Sequence, residues 1–174
     1  MRTEMDDERN SILSLLRRTR RLTLASLEPL DPDTVVYDDE QAWRVRDVLG
    51  HLGVWNGEAA RSLETHAAGD EYTCIATPGL YDTYNERAVT ERRAWPVTDV
   101  WAEYEATHDR LEGAIATMPP DRWDTPIMYP WTELGSVVGL VVLMTEHETS
   151  DHCEPMLARS GRADHPSAVP RAVG

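Results

Sequence analysis

Between residues 134 and 152 the chain sets Leu134, Val138, Val141, Thr145, Glu148 and His152 at alternating spacings of four and three. That is the seam of one helix laid against a core. Its first half is apolar, but two turns further on the same stripe delivers a carboxylate and an imidazole four residues apart. A carboxylate at a core position costs several kcal/mol unless its charge is compensated. Glu148 therefore implies a cation, a buried partner or a water-filled cavity. A second register competes: His147 and Asp151 are also four apart, on a neighbouring stripe with Leu140 and Met144. The more continuous stripe favours Glu148 and His152. A solvated helix end with an intrahelical ion pair would account for either pair alone, so a third residue from elsewhere in the chain is needed.

The 174 residues suit one domain with a core of its own. Acidic residues number 31 against 17 arginines and no lysine, a net charge of −14. Such a surface repels polyphosphate and anionic lipid, which argues against nucleic-acid and membrane partners. The block Arg17, Arg18, Arg20 and Arg21 reads as the wet face of a helix. Cys74 and Cys153 have no C-x-x-C spacing and are too few for a disulfide framework, which fits a reducing compartment. Residues 1–9 are charged where a secretory signal would be apolar, and the apolar run 134–144 is too short to span a bilayer. A cytoplasmic protein is expected.

Helical periodicity recurs along the chain. Residues 6–27 place Ile12, Leu15, Leu16, Leu22 and Leu27 on one side, and Pro29 and Pro32 end this first helix. A second should begin near Trp43 and run to about His66 on the stripe Val45, Val48, Leu49, Leu52, Trp55, Ala59 and Leu63. His51 flanks that stripe, sharing a face with Asp47, Trp55 and Glu58. The segment 67–80 has no sustained period and contains Gly69, Pro78 and Gly79; it reads as a long connection able to cover a cavity mouth. A short helix over 81–93 carries Tyr81, Tyr84 and Asn85 on one side. A third long helix follows Pro96 and ends at Pro119, with His108 on or near its inward stripe. Pro155 should stop or kink the last helix. No strand signal is found. The expectation is an all-α bundle of four long antiparallel helices, up-down-up-down, plus one short helix, spanning residues 1–159, with a disordered tail over 160–174.

The run Trp43-Arg-Val-Arg-Asp-Val-Leu-Gly-His51-Leu-Gly-Val-Trp55-Asn56 resembles the second-helix signature of the DinB-like four-helix bundles, a superfamily that includes mycothiol-dependent maleylpyruvate isomerase, bacterial thiol transferases and a colibactin self-resistance branch. The resemblance extends through Asn85-Glu-Arg-Ala-Val-Thr-Glu-Arg-Arg and the helix over 103–119 to His147-Glu148 and His152. It implies that His51 joins Glu148 and His152 as ligands of a divalent metal, Zn²⁺, Ni²⁺ or Fe²⁺, with positions left open for substrate. A low-molecular-weight thiol such as mycothiol would be the second cofactor, and a homodimer the assembled form. Six tryptophans and six tyrosines, more than one core readily buries, also favour an interface.

Three functions are consistent with these residues. In the first, the protein is a metal-dependent thiol transferase or isomerase acting on an electrophilic small molecule, with Trp55, Asn56, Tyr81, Tyr84 and Asn85 lining the substrate pocket and Glu58 or His108 moving protons. In the second, it is a self-resistance protein that hydrolyses or sequesters a reactive natural product, a detoxification role. In the third, it is a metal-free ligand-binding bundle.

Overall fold

The computed structural model describes residues 2–37, 42–74 and 79–160. Beyond Ser160 the expected tail lies outside the described residues, as do the acidic run 38–40 and residues 75–78 of the long connection. Four long helical stretches form the body: α1 (Arg2–Leu27), α2 (Val45–Ala68), α4 (Val97–Ala116), and a last rod built from α6 (Val137–Glu146), a π-helical segment (His147–Cys153) and α7 (Glu154–Arg159). The short α3 (Tyr81–Arg93) links α2 to α4, and a single turn, α5 (Pro120–Trp123), follows α4. The expected all-α bundle is observed.

Its helices do not alternate in direction, however. One end of the core collects Ile12, Leu16, Leu63, Ile115 and Leu140; the other collects Leu27, Leu49, Val100 and Met156. Tracing each helix between these ends gives up-down-down-up, with α2 and α4 parallel. Contacts along that pair rise together: Gly50 lies against Val100, Gly53 against Tyr104 and Gly57 against Thr107. The physical reason is α3, whose 13 residues return the chain to the end where α2 began. A Cβ at Gly53 would sit 3.4 Å from the Tyr104 backbone, so this glycine allows α2 and α4 to close and carries Tyr104 into the core.

The start of the last helix also needs correction. Leu134 is not on the inward seam: it is 65% exposed and belongs to a two-residue strand, Leu134–Gly135, paired antiparallel with Ile127–Met128. The last helix starts three residues later, where the Ser136 side chain accepts from the Gly139 N–H as an N-cap. Helical spacing from Leu134 to Val138 is therefore coincidental, and Gly135-Ser136 is the true start signal. The second helix begins at Val45, near Trp43 as its sequence indicates, directly after the extended segment where Val35 bridges Arg44.

Pro155 does not end the last helix. Glu146, His147, Cys153 and Glu154 all keep right-handed helical dihedrals, so the rod is continuous to Arg159. A proline has no N–H, and its ring strikes the carbonyl four residues back, here Asp151. The rod accommodates it by widening, with π bonds that run from i to i+5; the Glu154 N–H reaches the Thr149 carbonyl. No helix among the described residues is long and apolar enough to cross a membrane.

Candidate metal centre

The widened turn sets the site. In an α-helix, residues five apart are rotated by roughly 140° and face different neighbours. In a π turn residue i+5 comes to lie over residue i, and His147 and His152 face one another across 4.7 Å between ring centroids. From α2, whose inward stripe is fixed by Val48, Leu49 and Leu52, His51 completes the group. His147 Nε2 lies 3.1 Å from His51 Nε2 and 3.2 Å from His152 Nε2. Among the described residues these three form a group whose donor atoms fall within 4.8 Å of one another.

The outer ring nitrogens show which inner nitrogens carry lone pairs. Asp151 Oδ2 is 2.8 Å from His147 Nδ1, so Nδ1–H donates to the carboxylate and Nε2 is left as acceptor. Tyr37 supplies the second orientation. Its hydroxyl donates to the Asp151 carbonyl at 2.5 Å, the group Pro155 leaves without an α-helical partner, and it lies 2.7 Å from His152 Nδ1. With one hydrogen already given to the carbonyl, the Tyr37 oxygen accepts from Nδ1–H, and His152 Nε2 also becomes a lone pair. His51 Nδ1 is buried without a hydrogen-bond partner, and its ring is held by packing against Trp43 at 5.0 Å.

Electrostatics point the same way. Burial, with the neighbouring His147 second, lowers the His51 pKa to about 3. Burial, then His51 and His147, holds His152 well below the ordinary histidine range. Both rings are neutral at physiological pH, as metal ligands must be. Tetrahedral ligands at the zinc–nitrogen distance of ~2.0–2.1 Å are separated by roughly 3.3 Å, close to the two spacings that His147 Nε2 makes with His51 and His152. The donor set and its geometry fit a divalent cation that prefers imidazole.

Glu148 is placed elsewhere. It is buried, but it faces α1 and α4, where the Thr23 and Tyr104 hydroxyls both donate to its Oε1 at 2.5 Å. Cys153 Sγ is 3.2 Å from the same threonine oxygen. Of the expected ligand set, His51 and His152 converge and Glu148 does not; the π turn rotates His147 into the place where an α-helical register would bring Glu148.

Beside the histidines opens a cavity of about 330 Å³, lined by both His51 and His147 and by Trp55, Tyr81, Asn85, Trp131, Leu143 and Met144. Tyr84 stands behind the wall, edge-on to Trp55 at 5.4 Å, and Asn56 is buried in α2, away from the lining. The two expected proton carriers are also absent from it. Glu58 pairs with Arg61 at 2.6 Å and accepts from the Tyr72 hydroxyl at 3.0 Å. His108 is fully buried in the core beside Tyr104, and its Nδ1 lies 3.4 Å from Glu112 Oε1. Burial lowers its pKa.

Fold and site together define a four-helix bundle whose interior opens on a three-histidine cluster. The chain belongs to the DinB superfamily, whose family model matches residues 15–154. Among solved structures, the mycothiol-dependent maleylpyruvate isomerase superposes with a TM-score of 0.68 at 14% identity, and a histidine-to-alanine mutant of it does so with the same score at 13% identity. Each comparison covers 85% of this chain but only 60% of the isomerase chain. A likeness at that identity establishes the shared fold. A search of curated protein sequences finds no match.

Proposed function

We propose that this chain binds a divalent cation through Nε2 of His51, His147 and His152 and activates a low-molecular-weight thiol toward an electrophilic small molecule held in the adjoining cavity. The observation that carries the reading is the convergence of three imidazoles, two of them oriented by Asp151 and Tyr37. Held there, a divalent cation would supply Lewis acidity, which would lower the pKa of a nearby thiol or water and make a nucleophile available at neutral pH. The chain's own residues do the rest. His51 and His147 belong both to the cluster and to the cavity lining, so a reactant in the cavity reaches the cluster directly. Trp55 and Trp131 pack edge to face at 6.3 Å and keep water from that side. Addition of a thiol to a conjugated double bond forms a carbon–sulfur bond as the π bond breaks and passes the thiol proton to the electrophile; if the adduct turns about the resulting single bond before thiol and proton leave, the net result is isomerisation. Support for a thiol as the nucleophile comes from the structural neighbour, which is mycothiol-dependent by name.

The test is bound-metal analysis of untagged protein for wild type, His51→Ala, His147→Ala and Glu148→Gln. Loss of metal in the two histidine variants with retention in Glu148→Gln supports the reading. Failure of the wild type to take up one equivalent of Zn²⁺, Ni²⁺ or Fe²⁺ would overturn it.

A further inference from the structure

The cavity beside the histidines has a lining selective enough to say what enters it. Each aromatic wall residue has its polar end occupied. Trp55 Nε1–H donates to Asn85 Oδ1 at 2.9 Å, the Tyr81 hydroxyl to the Trp131 carbonyl at 3.0 Å, and Trp131 Nε1–H to Glu133 at 2.9 Å. What these residues offer a ligand is ring surface. Leu143 and Met144 add aliphatic and thioether surface. Among the described lining residues, Asn85 carries the one side-chain amide; with its oxygen engaged by Trp55, it presents N–H donors and so suits a ligand acceptor.

No guanidinium lies among the described lining residues, and the chain contains no lysine. A carboxylate drawn into such surroundings loses its hydration without an ionic partner, at a cost of several kcal/mol, and the −14 charge of the chain opposes its approach. A cation at the histidines could pair with one carboxylate, but a second would remain unpaired. Size sets the other bound. An apolar cavity of ~150 Å³ holds one benzene, so about 330 Å³ accommodates two fused rings.

We infer that the cavity takes a neutral, planar, conjugated molecule of up to two fused rings bearing a carbonyl acceptor for Asn85, and discriminates against dicarboxylates of the maleylpyruvate kind. That the carbonyl compound is the electrophile of the reaction rests on the thiol-activation reading; its capture by the cavity rests on the lining alone.

Calorimetric titration of the full chain tests this with matched probes, 2-acetylnaphthalene and 2,6-naphthalenedicarboxylate, in chelator and again with one equivalent of Zn²⁺. The expected result is binding of the ketone in both conditions and at least ten-fold weaker binding of the dicarboxylate. Trp131→Ala should weaken the ketone at least ten-fold. Leu143 is 41% exposed, so Leu143→Arg should fold as the wild type by circular dichroism while it narrows or inverts the preference. Dicarboxylate binding equal to or tighter than the ketone, or no ketone binding at all, would overturn the inference. Because the chelator arm needs no metal, ketone binding by a protein that takes up no metal would refute the metal reading and leave this one standing.

Discussion

Replacing Tyr37 by Phe removes one oxygen and keeps the ring, which packs edge-on to Trp43 at 6.3 Å and to His152 at 6.0 Å. That oxygen has two functions. It donates to the Asp151 carbonyl and accepts from His152 Nδ1–H. Without it the His152 ring has no fixed tautomer, and half of the ways of protonating it put a hydrogen on the nitrogen that faces His147. Loss of such an outer-sphere partner lowers metal affinity by about 10- to 100-fold, equivalent to about 1.4–2.8 kcal/mol. The Asp151 carbonyl also loses its partner, but the contact is exposed and water can take the hydroxyl's place, so the loss is that of one hydrogen bond, about 0.5–1.5 kcal/mol, which lowers the melting temperature by roughly 2–4 °C per kcal/mol for a chain of this size. Competition against a chromophoric chelator gives the zinc affinity, and the ligand-field spectrum of the Co²⁺ form reports the coordination geometry. Thermal unfolding of the metal-free protein measures the structural part separately. A variant that melts lower yet binds zinc within two-fold of wild type, with an unchanged Co²⁺ spectrum, would refute the orienting role and leave Tyr37 as a helix cap only.

Pro155→Ala restores an N–H that competes with Tyr37 for the Asp151 carbonyl, so the π turn should tighten; metal affinity should fall while the melting temperature holds or rises, read by the same two assays. Glu148→Ala should leave zinc stoichiometry at wild type but cost about 2–4 kcal/mol in urea unfolding, because the Thr23 and Tyr104 hydroxyls lose their shared acceptor and a cavity opens. His108 is held neutral in the core, its pKa lowered by burial. Below the ordinary histidine pKa of about 6.5 the unfolded chain binds a proton the native state refuses, so stability is full above that pH and is lost as pH falls through it. His51 and His152, also lowered by burial, contribute to the same limb, so His108→Leu should shrink the difference between urea titrations at pH 5 and 7 without abolishing it. Burial pushes the Cys153 thiol up to about 12, whereas Cys74 is half-buried; a disulfide reagent at pH 8 should modify one thiol in the native protein and the second only in denaturant.

Periodicity and proline placement determined the helices, because an amphipathic stripe has one stable use in a single domain. Residues 81–93 were legible to the residue, and the block around His51 carried the superfamily. Part of the site was legible too: His51, Trp55, Tyr81 and Asn85 share the cavity, and His152 reaches the cluster. The choice between His147 and Glu148 was not. Reading 3.6 residues per turn through residues 147–153 puts the carboxylate on the same face as His152, whereas the wider turn at Pro155 puts His147 there and leaves Glu148 buried against α1 and α4. Its stabilising partner, Tyr37, comes from a segment 114 residues away in sequence, and no local spacing predicts such a contact. Helix direction was equally hidden, since periodicity fixes which face of α4 is buried but not which way the chain runs; the return path through α3 decided that. The proline was visible from the start, but its effect depended on a hydroxyl that only the folded chain brings to the freed carbonyl.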